Sequence, residues 1–225
     1  SQDKVDKALS ILQDEFKGLE IKGVVANLKD EKGCNELTSK IPHVDILINN
    51  AGIFEPVAFE DITREQWLEM FNVNVMSGTS LAQFYLPKML KSNWGRIIFI
   101  ASESALQIPK DMIHYGMSKT AQVAIARGIA ELTKGSNVTA NSIIAGPCKS
   151  EGVVDFIDAL AKKENISFDE IEKEFFNSVR PTSLLQRFAS VEESAEMICY
   201  TASALSSATN GALLRVDGGV VQSAF

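Results

Sequence analysis

The chain has 225 residues, 45% hydrophobic and 23% charged, with a formal net charge of -7. That is enough apolar material for one large core, and a charge content near the globular norm argues against disorder. An acidic chain with no Lys/Arg stripe argues against a nucleic-acid partner, and no apolar run approaches the roughly 18 residues that span a bilayer.

The predicted elements alternate between helix and strand. Residues 4–17 place Val5, Ala8, Leu9, Leu12 and Phe16 at helical spacing before Gly18. Ile21–Ala26 is a short β-branched run, read as a strand, and a polar helix follows around Asp30–Lys40. Val44–Ile48 is continuously apolar and reads as a strand buried on both faces, ending in Asn49-Asn50-Ala51-Gly52. Thr63 and Gln66 fit a capping box that opens a long helix to about Lys91, with Pro87 tightening or kinking its end. Strand Arg96–Ala101, helix 112–134 and strand Val138–Ile144 come next. Ser167 with Glu170 and Ser190 with Glu193 are capping boxes for helices near 168–179 and 191–204. Strand Ala212–Val216 then runs into Asp217-Gly218-Gly219.

This order predicts an α/β fold: a Rossmann-like, doubly wound parallel sheet with helices on both faces, in one domain over 1–225. Ligands of such sheets sit beyond the carboxyl ends of the strands. The three cysteines, Cys34, Cys148 and Cys199, are too scattered for a disulfide framework or a zinc site. They read as small buried residues in a reducing cytoplasm, and no metal ligand set is expected.

Tyr115 and Lys119 are four residues apart on a predicted helix and so share one face. A phenol near pKa 10 exchanges protons poorly at neutral pH, and a nearby ammonium lowers that value, so the pair suits general acid/base work. Ser102 follows a strand, 13 residues before Tyr115, where its hydroxyl can polarise a substrate carbonyl. Ser104 is the weaker candidate for that role. At another strand end, Gly52 permits close backbone approach to a ligand and Ala51 adds little bulk. Asn74 interrupts an apolar helix, where its amide should bend the backbone or bind an ordered water.

Strand-Asn-Asn-Ala-Gly, an Asn in the following helix, strand-Ser and then Tyr-x-x-x-Lys resemble, in order, the short-chain dehydrogenase/reductase family. The closing Arg215-Val216-Asp217-Gly218-Gly219 resembles that family's last strand. The resemblance implies a carbonyl/alcohol oxidoreductase using NAD or NADP, with Ser102, Tyr115, Lys119 and Asn74 catalytic. Lys119 would bond the nicotinamide ribose and depress the Tyr115 pKa, and Asn74 would anchor a water relay. Asn27, Asn49, Asn50, Ala51, Gly52, Gly146, Pro147 and Cys148 would line the cofactor cleft, with Asp45 supporting the Asn-Asn-Ala-Gly turn. A small-molecule substrate and a homodimer or homotetramer are implied as well. Two alternatives are a non-catalytic relative that keeps the fold and a sugar-nucleotide epimerase using the same Tyr/Lys pair.

The sequence departs from the pattern in places. The family opens with a strand, a Gly-rich phosphate loop, a helix and a second strand, and residues 1–50 supply none of these. The chain is therefore expected to be a piece of a longer one. Asn27 stands where the family often has Asp, and Cys148, a weak donor, stands where it usually has Thr. The stretch 151–185 reads as either a substrate lid or two surface helices. Glu103, Gln107, His114 and Phe156 are candidate pocket residues, with a packing role favoured for His114.

Overall fold

The computed structural model describes residues 1–164 and 166–224, apart from the side chains of 155–156, 159–160 and 162–164. Four strands form one parallel sheet in the order β1-β2-β3-β4: β1 (Ile46–Asn49), β2 (Gly95–Ser102), β3 (Val138–Ala145) and β4 (Leu213–Val216). Helices α1 (Gln2–Glu15) and α2 (Glu31–Lys40) precede the sheet. Helices α3 (Arg64–Phe71) and α4 (Ser77–Ser92) join β1 to β2, and α5 (Ile113–Leu132) joins β2 to β3. Helices α6 (Glu151–Glu164), α7 (Phe168–Glu174) and α8 (Val191–Ala202) lie between β3 and β4. All three capping boxes form, at Thr63, Ser167 and Ser190.

Alternation along β2 decides the packing. Ile97 and Phe99 point into a core with Leu81, Ala82, Tyr85, Leu86 and Met89 of α4 and Ala126 and Ala130 of α5. Arg96 points the other way and donates from Nε to Ser203 O, at the end of α8. Helices α4 and α5 thus cover one face and α8 the other. Each fully buried Ile or Phe adds roughly 1.5–3 kcal/mol to this core.

Four expectations need correction. Ile21–Ala26 forms no strand; its β-branched residues favour extended backbone, but a strand needs a neighbour to pair with, and the sheet edge here is β1. Strand β1 is buried on one face only: Leu47 and Asn49 are inside, whereas Ile46 and Ile48 are 40% and 44% exposed. The long helix from Thr63 is not continuous, because Asn72–Met76 widens into a π turn between α3 and α4. Of the cysteines, only Cys34 is buried; Cys148 is half-buried and Cys199 is exposed on α8.

Candidate active site

Strand register gathers the site at one end of the sheet. Ser102 pairs with Ala145, and Ala145 pairs with Val216, so these three strand ends lie side by side. The next residue, Gly146, lies so close to Asp217 that a Cβ on it would come within 2.7 Å of that residue's backbone. Asp217 is held by its own turn, accepting from Val221 N at 3.0 Å and from Arg215 at 3.1 Å.

Beyond these ends lies a cavity of about 910 Å³. Its floor is Ser102, Glu103, Ser104, Tyr115, Gly146, Pro147 and Cys148. One wall is Phe54, Pro56 and Met112, and the Phe54 ring stands edge-on to Tyr115 at 6.2 Å. The opposite wall is the cover formed by α6, α7 and the π turn Phe175–Val179, through Val153, Ile157, Ile171, Phe175 and Val179. A shallow dip on α2, around Glu31 and Glu36, holds none of the candidate residues.

Tyr115 and Lys119 project from the first turns of α5 toward the end of β2. Burial pushes the Tyr115 phenol up to about 12, and the Ser102 hydroxyl beside it works in the opposite direction. Burial also pulls the Lys119 ammonium down to about 8. Lys119 donates to Ile100 O at 2.9 Å, and its Nζ lies 5.6 Å from the Tyr115 ring centroid. Burial is the largest influence on the Tyr115 phenol.

Asn74 sits in the π turn with its side chain fully engaged. Its Nδ2 donates to Ile53 O and Ser118 Oγ, both at 2.9 Å, and its Oδ1 accepts from Ile53 N at 2.7 Å. The amide thus clamps the loop after Gly52 to α5 through Ser118. A Cβ on Gly52 would lie 3.4 Å from Asn74 Oδ1 and 3.5 Å from Lys119 Nζ, so this glycine is where backbone passes the buried ammonium.

The remaining candidates are distributed unevenly. Asn50, Ala51 and Gly52 are exposed beyond β1, and Asp45 is paired with His43 at 3.1 Å. Asn49 is buried with neither amide atom partnered. Asn27 is exposed and outside the cavity wall; its Oδ1 accepts from Lys29 N at 3.4 Å. Gln107 also lies outside it, bonded to Thr182 at 3.3 Å. His114 is fully buried against Trp67, where loss of water pulls its pKa down. The side chain of Phe156 lies outside the described residues. Sequence reasoning missed Arg180, which follows the π turn of the cover and meets Glu103 at 2.7 Å; no local spacing announces a contact 77 residues long.

A parallel sheet whose strand ends gather a buried phenol, ammonium and hydroxyl defines a Rossmann-like α/β protein. A family model described as enoyl-(acyl carrier protein) reductase matches residues 2–221. The chain is similar to the Bacillus subtilis protein "Uncharacterized oxidoreductase YvaG", with 42% identity over 100% of the chain and 85% of that protein. It is 30% identical to dehydrogenase/reductase SDR family member 4 of Caenorhabditis elegans over 98% of the chain and 82% of that protein. A solved structure from Beutenbergia cavernae superposes with a TM-score of 0.84 at 27% identity, covering 98% of the chain and 84% of its own. It is provisionally an NAD(P)-dependent gluconate 5-dehydrogenase, with NADP bound at low occupancy. The chain belongs to the short-chain dehydrogenase/reductase family of oxidoreductases.

Proposed function

We propose that this chain interconverts a carbonyl compound and a secondary alcohol with a nicotinamide cofactor, NAD or NADP, and that Tyr115 carries the proton. The observation that supports this most is the meeting of Tyr115 and Ser102 in one large cavity with the buried Lys119 behind them. The Tyr115 phenol protonates the oxygen in one direction and takes the proton back in the other. Lys119 presents a desolvated ammonium, of which one N–H is spent on Ile100 O, leaving donors for a ribose hydroxyl. The residues fit the nicotinamide–ribose end of such a cofactor: a buried ammonium and an adjoining glycine. When bound, that group supplies or accepts the hydride.

Asn74 acts by holding the Gly52–Ile53 turn against α5, and Gly146, Pro147 and Cys148, on the cavity floor, would help hold the cofactor. The cover of α6 and α7 serves as the substrate lid. No described helix is long and apolar enough to cross a membrane, and a cytoplasmic location is part of the proposal. So is a homodimer or homotetramer: α4 and α5 expose Phe84 and Leu132, and Gly128 faces open space. NAD(P)-linked turnover of a panel of ketones and secondary alcohols tests the enzymatic reading. Oxidation or reduction of at least one pair is expected, and complete inactivity with both cofactors would sink it.

A further inference from the structure

We propose that this cleft takes an uncharged, largely apolar carbonyl compound or alcohol whose hydrocarbon part lies under the cover, and that it rejects polyhydroxylated and anionic compounds. The proposal rests on the oxidoreductase reading above and names its substrate class. A ligand oxygen set against Ser102 and Tyr115 leaves the rest of the molecule facing α6, α7 and the π turn Phe175–Val179. That surface is hydrocarbon. Ile157, Ile171 and Phe188 line the cavity and also belong to the cover's own small core, which Phe176 completes. The Phe175 and Phe188 rings, both on the cavity wall, pack with centroids 4.9 Å apart. The wall is therefore the inner face of a packed cluster, and its apolar character is tied to the stability of the cover. Two more apolar side chains on the same cavity stay open to water: Phe54 is 64% exposed and Val179 51%. A hydrocarbon chain laid against them removes that surface from water, which favours binding in proportion to area.

Polar ligands find little to bond under the cover. Ser178 commits its hydroxyl proton to Glu174 O at 2.8 Å. Arg180 donates from Nε to Glu103 Oε1 at 2.7 Å and from Nη1 to Val179 O at 3.0 Å. A polyol placed here gives up water at several hydroxyls and regains few hydrogen bonds. A carboxylate fares worse. The charged side chains among the described lining residues are Glu103, Asp111, Glu174 and Arg180, and the guanidinium is already neutralised by Glu103. An anion would be buried near carboxylates with no free cation to meet it.

Affinity is read by NMR titration of the chain without cofactor, so the test does not depend on turnover. One series is 2-butanone, 2-hexanone and 2-octanone, in which each added methylene is expected to tighten binding about two- to fourfold. Levulinate, the carboxylate isostere of 5-methyl-2-hexanone, is expected to bind about tenfold or more weakly than that ketone. Erythrulose, which is 2-butanone carrying three hydroxyls, should bind more weakly than 2-butanone. Val179 is half-exposed and outside the cover's core, so Val179→Asp should fold and should shrink the gain from 2-butanone to 2-octanone several-fold. Affinity independent of chain length would overturn the proposal. So would levulinate or erythrulose binding as tightly as its apolar counterpart, or an unchanged octanone-to-butanone ratio in Val179→Asp. The turnover panel judges the enzymatic reading separately. Inactivity there with the apolar trend intact sinks that reading alone, whereas turnover that favours polyols or anions sinks this proposal alone.

Discussion

On the β2–α5 side of the cleft, Ser102, Lys119 and Asn74 are buried and each bonds within the chain. At the β1 end, Asn49 is equally buried with its amide unpartnered, and Asn50, Ala51 and Gly52 lie in the open. The first region is a preorganised site, in which the cost of burying polar groups has been met by internal partners. The second carries a polar group whose burial is uncompensated: the Asn49 amide is turned inward against Gly78 of α4. Asn74 joins them, because it grips Ile53 on one side and Ser118 of α5 on the other.

Substitutions should separate the two regions. The largest effect belongs to Tyr115→Phe, which removes the proposed proton donor while keeping the ring against Phe54. Steady-state kinetics should show kcat falling by roughly 10²- to 10⁴-fold with little change in melting temperature. Asn74→Ala strands the Ile53 backbone groups and the Ser118 hydroxyl. Denaturant unfolding should register a loss of about 2–4 kcal/mol, since each lost partner leaves a buried group to be desolvated. Asn49→Leu should do the reverse, removing two unpartnered amide atoms at similar volume. A gain of about 1 kcal/mol in denaturant unfolding is expected. Asn50→Ala, on the exposed loop, should stay within about 0.5 kcal/mol of wild type.

The buried titrating pair also gives stability a characteristic dependence on pH. Between about 8 and the ordinary lysine range, Lys119 is deprotonated in the folded chain while the unfolded chain still holds the proton. The unfolded state then binds more protons, so this group makes stability rise with pH. Tyr115 acts oppositely between the ordinary tyrosine range and about 12, where the unfolded phenol ionises first and stability falls. Urea midpoints across this alkaline range should show the first rise in wild type and its loss in Lys119→Met.

The sheet, its capped helices and the grouping of Ser102, Tyr115 and Lys119 were legible because their signals are local: strand ends, an i,i+4 pair, a Ser or Thr three residues before Gln or Glu. What could not be read depends on distant partners. Ile21–Ala26 has the composition of a strand but no strand to pair with. Ile46 and Ile48 are exposed because α8 packs on β2, β3 and β4 and leaves the outer face of β1 open. Asn74 marked a disturbed helix correctly, but that it would grip Ile53 follows only once the π turn aims it across the chain. Arg180 gave no signal, since its meaning lies in Glu103. Burial of the Tyr115 phenol, the largest influence on its pKa, depends on the elements that close over it and has no local signal.

The central claim is that a phenol and an ammonium are desolvated together at the end of β2. Labelling lysine side chains with ¹³C and following the Lys119 resonance with pH, assigned by its loss in Lys119→Met, tests this most directly. The structure predicts a midpoint near 8. A midpoint in the ordinary lysine range, about 10.4, would place the ammonium in water and contradict the account.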